Sequence, residues 1–409
     1  MKNIYHSDIY KFEKPVNSYW EDTTNENFDL NKLTKDINSE VAIIGGGYTG
    51  LLCAINLIEN YNLDVILLEA GKVGWGASSR NGGFCAFPPT KTNFKNLQKI
   101  YGKDETKKFF KNSVEGSNYT KSIIQNYNID CDVSGECNFI LAHHPNKFKQ
   151  IREQAEIYKN EFGIETEIYS KEEFDKIGHT GTEQYGALSY KPGFAINPLK
   201  FVNGIARYAL SKKLKIYDHS LVSKIEKNNN SYTLRTSEGS VNTKKIVVAT
   251  NGFYQEGLVP QMNSRILPVI SNIIVTRKLS KEEIDLHNFK TFSPIMNTKN
   301  LLYYYRKLPD NRILFGTRGD FIGSDQSNFN RSKIMEKFFK NIFPNWSEIS
   351  IDYSWRGFIA MSQKLTPSIG KIEDEEIYYG FGYHGVGVST APWTGKQLSK
   401  LVFSSNSKD

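Results

Sequence analysis

The chain has 409 residues, 39% of them hydrophobic, and a formal net charge of +8. That length suffices for roughly two to three domains with large cores, and the positive balance comes from lysines scattered among asparagines, so no nucleic-acid footprint is expected. No apolar run nears the roughly 20 residues that span a bilayer, the polar N-terminus does not read as a signal peptide, and Cys53, Cys85, Cys131 and Cys137 show neither CxxC spacing nor a disulfide framework; a soluble, cytoplasmic protein without membrane insertion is expected.

Residues 1–35 form a polar N-terminal extension, with Ser18-Tyr19-Trp20 as its packing anchor. Val41–Ile44 is a short apolar run suited to a buried parallel strand. Gly45-x-Gly47-x-x-Gly50 follows, enclosing Tyr48 and Thr49, and a helix with Leu51, Leu52, Ile55 and Ile58 on one side runs to about residue 60. A second buried strand, Val65–Leu68, ends in Glu69-Ala70. Strand, glycine turn, helix, strand and terminal acid make a βαβ unit that grips a dinucleotide. Gly45 makes the tight turn, and Gly47 admits the pyrophosphate at the helix N-terminus. Gly50 allows close helix–strand packing, and Glu69 accepts ribose hydroxyls. The acid fits FAD or NAD and argues against NADP.

Next comes Gly74-Trp75-Gly76-Ala77-Ser78-Ser79-Arg80-Asn81-Gly82-Gly83, a glycine- and serine-rich loop. Helices are expected over 102–127 and 146–162, with a strand at 137–142 between them. Asn197-Pro198 starts another helix, with an N-cap and an N1 proline. Strands follow at Leu221–Glu226 and Tyr232–Thr236, the Glu238-Gly239 turn leads to the segment Lys245–Gly252, and apolar strands at 266–276 and 312–317 suggest an antiparallel middle section. A helix is expected over 330–343. Strand Ile377–Gly380, turn Phe381–Val388 and a helix through Val402 make a second strand–glycine turn–helix unit. The expected architecture is α/β (α+β overall): a Rossmann-like FAD-binding domain (36–90, 195–255 and 355–405) with an inserted antiparallel-sheet substrate or cap domain (91–194 and 256–354).

The chain resembles the D-amino-acid-oxidase-like superfamily of FAD-dependent oxidoreductases, and within it the gamma-glutamylputrescine oxidoreductase branch. The resemblance rests on GGGYTG, GWGASSRNGG, VVATNG at 247–252, Trp355-x-Gly357 with Pro367-x-x-Gly370, Tyr305-Arg306 with Arg312–Gly316, and IYYGFGYHGVGV. It implies that Gly45, Gly47 and Gly50 hold the FAD pyrophosphate and Glu69 the adenosine ribose. It further implies that Ser78 to Gly83 runs beneath the flavin, with Gly76 and Ala77 before it also against the cofactor, and that Val222 meets adenine. Ala249, Thr250 and Gly252 would form a second strand-end contact. The turn bearing Gly385, Val386, Gly387 and Val388 would set backbone amides at the flavin pyrimidine.

Four departures from that pattern shape the functional reading. Relatives that attach flavin covalently have a cysteine where Phe358–Ser362 stands, so noncovalent FAD is expected. Ile359 replaces an arginine that clamps an α-carboxylate in glycine-oxidase-like relatives. Ser389 replaces a lysine found in some relatives. Arg318 and Arg356 stand where small residues are usual, and arginines beside a flavin pocket imply an anionic group on the substrate. The expected reaction is oxidation of the C–N bond of a small primary or secondary amine by hydride transfer to flavin. The imine is then hydrolysed, with O2 or another electron acceptor reoxidising the flavin. Tyr303, Tyr304, Tyr305, Trp393 and His384 are the expected pocket walls. His384, Arg356, Arg318 and Tyr305 are the expected catalytic-site residues, and no metal site is expected. Two alternatives stay open: a dehydrogenase passing electrons to a quinone or carrier protein, and a non-catalytic FAD-binding subunit.

Overall fold

A computed structural model describes residues 4–404; residues 1–3 of the expected extension and residue 405 of the expected FAD-binding segment lie outside the described residues. Two eight-stranded sheets organise the chain. In the first, Ile37–Ile44 pairs in parallel with Val65–Leu68 on one side and Ser240–Val248 on the other. Lys215–Tyr217 continues one edge, and Ile377–Phe381 and Ser368–Lys371 continue the other. Val41 to Ile44 and Val65 to Leu68 are buried throughout, as expected of central parallel strands covered on both faces.

Helix Tyr48–Tyr61 ends where Asn62 turns left-handed (φ 52°); the Asn62 N–H donates to the Ile58 carbonyl and the Leu63 N–H to that of Leu57, a standard way to satisfy the last turn. The C-terminal helix Gly387–Ser404 packs against it. Gly395 permits that approach: a Cβ there would lie 2.6 Å from the Thr49 carbonyl oxygen. The expected helix at Asn197 is Pro198–Ser211, with the Asn197 side chain accepting the Lys200 N–H. The helix expected over 102–127 follows directly on a shorter one that starts at Phe94; the two meet at Gly102, whose backbone (φ 80°, ψ 171°) is not helical, and the second runs to Asn126.

The second sheet runs in the order Ile351–Ser362, Ile266–Thr276, Ile313–Asp320, Tyr304–Lys307, Ile295–Asn297, Asn138–Leu141, Ala187–Tyr190, Thr166–Tyr169. All its pairings are antiparallel except that of Ile295–Asn297 with Asn138–Leu141. Helix Asp325–Ile342 seals one face, burying Met335, Phe339 and Ile342 with Phe315 and Trp346. Strand Ile351–Ser362 pairs with Ile266–Thr276 from Ile266 opposite Ser362 to Thr276 opposite Ile351. Residues 355–362, read from the sequence as part of the FAD-binding domain, are strand residues of the second sheet.

Candidate active site

One long cavity runs from the ends of the parallel strands to the face of the second sheet. At its nucleotide end, Gly45 adopts φ 112° and donates its N–H to Leu68 at 2.8 Å. A side chain at Gly50 would place Cβ 1.9 Å from the Gly45 carbonyl oxygen, so only glycine lets helix and turn meet there. Gly47 offers no side chain to cap helix Tyr48–Tyr61; the Tyr48 N–H donates to Ser78 Oγ at 3.1 Å, and the helix start remains electropositive toward the cavity. Glu69 also lines it, and its carboxylate accepts from Gly46 N at 2.6 Å and Gly71 N at 3.0 Å. Burial pushes its pKa up, against these backbone donors, which favour the charged form.

The middle of the wall is the Gly76–Gly82 loop. The Arg80 guanidinium lies 3.9 Å from the Trp75 ring centroid and donates to Trp75 O (2.8 Å) and Arg356 O (3.2 Å); burial lowers its pKa to about 9. The loop is braced from behind by Trp355, whose indole donates to Arg80 O (2.8 Å), and by Trp20 of the extension, whose indole donates to Asn81 O (3.0 Å). Arg80 Nη2, Thr250 Oγ1 and Gln255 Oε1 are buried and unpartnered, and all three residues line the cavity. Buried polar atoms without partners are costly. A wall carrying three of them beside a helix start with a glycine at its N-cap fits a large polar ligand such as FAD.

At the far end, Gly385, Val386, Gly387 and Val388 line the cavity with Tyr383. Tyr48, Thr49, Ala70, Ala77, Ser78, Val222 and Ala249 line the remainder. Ser79, Gly83 and Gly252 shape it from behind: Ser79 N–H bonds Gly74 O, and a Cβ on Gly83 would lie 2.0 Å from the Ile196 carbonyl oxygen.

Three of the four expected catalytic-site residues do not reach this wall. Tyr305 is in the second-sheet core, its hydroxyl 2.9 Å from His179 Nε2. His384 is fully buried behind its turn, with Nε2 3.2 Å from Ser362 Oγ and Nδ1 3.2 Å from Met361 Sδ. Burial, then the charge of Lys91, lowers its pKa to about 4, which keeps the ring neutral. Arg356 is ion-paired with Asp325 at 2.8 Å. The cause is register. Arg318 pairs across from Ser271 and Arg356 from Asn272, and successive strand residues face opposite sides of a sheet. Ser271 and Arg318 face the cavity; Asn272 donates to Asn328 on helix Asp325–Ile342 (2.9 Å). The two arginines therefore cannot form one fork. Trp393 and Tyr303 are likewise absent from the wall, whereas Tyr304 is on it, with its hydroxyl 2.9 Å from Ser271 Oγ.

Sequence reasoning missed Lys91, Phe84, Met296 and Leu302, all on the cavity wall. Lys91 is accessible, yet packed protein atoms desolvate its ammonium, so its accessible surface faces the cavity; burial first, then Arg318, lowers its pKa to about 8. Nothing distinguishes it in a chain with 52 lysines and arginines. Ile359 is on the wall and Ser389 Oγ is bonded to Ala86 O (2.6 Å). Cys85 is buried off the wall, its thiol pushed up to about 12 by desolvation. Among the described residues no group of three metal-ligating side chains converges, and no helix is long and apolar enough to cross a membrane.

A parallel nucleotide sheet, a glycine turn aimed at a cavity, and a second sheet closing its far end define a dinucleotide-dependent oxidoreductase. The chain belongs to the DAO family of FAD dependent oxidoreductases, whose sequence pattern matches residues 40–401. Its cofactor is FAD. It is 29% identical over 388 residues to gamma-glutamylputrescine oxidoreductase of Escherichia coli K12, covering 95% of this chain and 89% of that one. It is 29% identical over 398 residues to the probable oxidoreductase OrdL of Haemophilus influenzae, covering 96% and 89%. Among solved structures, glycine oxidase from Geobacillus kaustophilus superposes with TM-score 0.73 at 18% identity, covering 90% of this chain and 95% of that one. L-proline dehydrogenase from P. horikoshii gives 0.71 at 20%, covering 92% and 95%. At those identities the structures attest the fold.

Proposed function

We propose that this enzyme oxidises the C–N bond of a small primary or secondary amine, with FAD held noncovalently. The observation that carries the reading is the far cavity wall, where Phe84, Met296, Leu302, Tyr304 and Ile359 surround the space between the flavin turn and the second sheet. Such a wall excludes water and disfavours an ammonium, so the substrate nitrogen is held in its reactive neutral form. The 29% identity to gamma-glutamylputrescine oxidoreductase over most of both chains supports an amine rather than an alcohol.

When bound, FAD supplies the two-electron acceptor, and the imine product hydrolyses to an aldehyde or ketone and an amine or ammonia. The chain's own residues orient and desolvate. The Tyr383–Val388 turn presents backbone amides, neutral His384 holds that turn from behind, and Tyr304 and Ile359 set the substrate's approach. An anaerobic panel of primary and secondary amines tests the reading: at least one bleaches the flavin. If none does, while dithionite still reduces it, the amine assignment is wrong. Peroxide formed on admitting air marks an oxidase; reduction of a quinone analogue without peroxide marks a dehydrogenase.

A further inference from the structure

We propose that Lys91 and Arg318 together bind an anionic group on the substrate, a carboxylate remote from the reacting amine. The proposal rests on the amine reading only for what the other end of the substrate is. The two cations come from different parts of the chain. Lys91 lies four residues after Phe87, beyond the glycine-rich loop; Arg318 lies near the end of the strand Ile313–Asp320 of the second sheet. Both line the same end of the cavity. Lys91 reaches the flavin turn, since a Cβ on Gly385 would lie 3.8 Å from its Nζ.

Neither has a counter-charge, a trait shared on the cavity wall by Arg80, whose guanidinium instead donates to two backbone carbonyls and lies over Trp75. Elsewhere Arg356 pairs with Asp325, Arg312 with Asp310 and Asp352, and Arg277 with Glu283. Lys91 has no hydrogen bond or ion pair to protein among the described residues. Arg318 gives one, from Nη2 to Asn300 O at 3.0 Å, which fixes its fork without neutralising it. The titratable groups that act on Lys91 are Arg318 and His384; the one that acts on Arg318 beside it is Tyr304. No carboxylate is among them. The acid that lines the cavity, Glu69, is spent on Gly46 and Gly71 at the nucleotide end.

Two desolvated like charges facing each other are unfavourable unless an anion completes the site. An arginine fork and a lysine point charge suit a carboxylate, which accepts from both at once. The same charges disfavour an ammonium nearby. One arrangement thus does two things: it draws in the anionic end and keeps the amine end neutral.

The test is equilibrium binding to the oxidised, FAD-loaded enzyme, with glutarate as a redox-inert probe and the flavin absorbance bands as readout. Glutarate is expected to perturb the spectrum saturably, and glutaramide not to. Lys91→Met and Arg318→Met should each weaken glutarate about ten- to a hundred-fold, the range of a charge-assisted hydrogen bond. Arg318→Lys should recover part of the loss if the positive charge is what matters. In turnover, the same variants should lose at least tenfold more kcat/KM on an ω-amino acid than on its amide. Should the variants fold poorly, FAD content and glutarate competition on the parent enzyme still decide. Equal binding of glutarate and glutaramide overturns the proposal. So does unchanged glutarate affinity in both variants with lowered FAD content, which would make the cations cofactor residues. If glutarate binds as stated but no amine bleaches the flavin, the anion site stands and the amine reading falls.

Discussion

Tyr304 and Tyr305 are adjacent on one strand and serve opposite sides of the second sheet: the first hydroxyl meets Ser271 on the cavity wall, the second meets His179 in the core. Tyr305→Phe should cost about 1 kcal/mol of stability, because it leaves buried His179 Nε2 unpaired, and should leave kcat/KM for amines essentially unchanged. Tyr304→Phe should shift KM and leave the denaturation midpoint near that of the parent. Urea melts and steady-state kinetics on both variants check the pair; a kinetic defect confined to Tyr305→Phe would show the facing reversed.

Gly47→Val should give folded but colourless protein. A Cβ there would lie 2.7 Å from Ser78 Oγ, a side chain able to move, while the rest of the valine fills space where the pyrophosphate approaches. Gly50→Ala is expected to be worse, since its Cβ meets backbone at 1.9 Å, and to yield insoluble chain. The ratio of absorbance at the flavin band to that of the protein, with circular dichroism, separates the two outcomes.

Acid precipitation should leave the flavin in the supernatant. Cys85, the cysteine of the cavity loop, is buried off the wall with its thiol held protonated by desolvation, and Phe358–Ser362 offers no thiol. Yellow pellets would overturn noncovalent attachment.

Lys91 gives the anion site a pH dependence. Its ammonium is present below about 8 and is lost as pH rises through that value, whereas glutarate stays a dianion from about pH 7 upward. The dissociation constant of glutarate for the oxidised enzyme should therefore be flat near pH 7 and rise above about 8. In Lys91→Met the rise should vanish. A rise that persists in that variant would assign the titration to another group.

Arg356→Met should affect anionic and uncharged amines equally. Its partner Asp325 is largely exposed, so the ion pair contributes no more than about 1 kcal/mol, and neither residue lines the cavity. A selective loss on anionic amines would return Arg356 to the pocket.

Much of the nucleotide half was legible in the sequence because its signals are local. Val41–Ile44, the Gly45–Gly50 turn and Glu69 are specified by residues within one βαβ unit, and the N-cap at Asn197 by two adjacent residues. The substrate half was not, because it depends on register. Whether Tyr304 or Tyr305 faces the cavity is decided by Gly316 and Phe315 opposite them. Whether Arg318 or Arg356 does is decided by Ser271 and Asn272. A one-residue slip reverses each answer, and no spacing along the chain reports it. Lys91 lacked even that much signal, since its importance is the absence of a partner. Trp20 was marked as a packing anchor, but that its indole holds Asn81 is a contact across 61 positions.

The order in which the nucleotide sheet is assembled sets when the enzyme can acquire its cofactor. Ile37–Ile44 is among the first strands synthesised, yet Ile377–Phe381, which extends the sheet beyond Ser240–Val248, comes last. Helix Tyr48–Tyr61 waits equally long for Gly387–Ser404. Closing such distant segments is entropically slow, and until then the apolar faces of the early βαβ unit stay uncovered. A nascent chain halted before residue 377 lacks the turn that we propose holds the far end of the flavin. It should therefore emerge as an aggregation-prone apoprotein that retains no FAD on gel filtration. Stable flavin capture is thus expected only after Ile377–Phe381 and the turn behind it have joined the sheet.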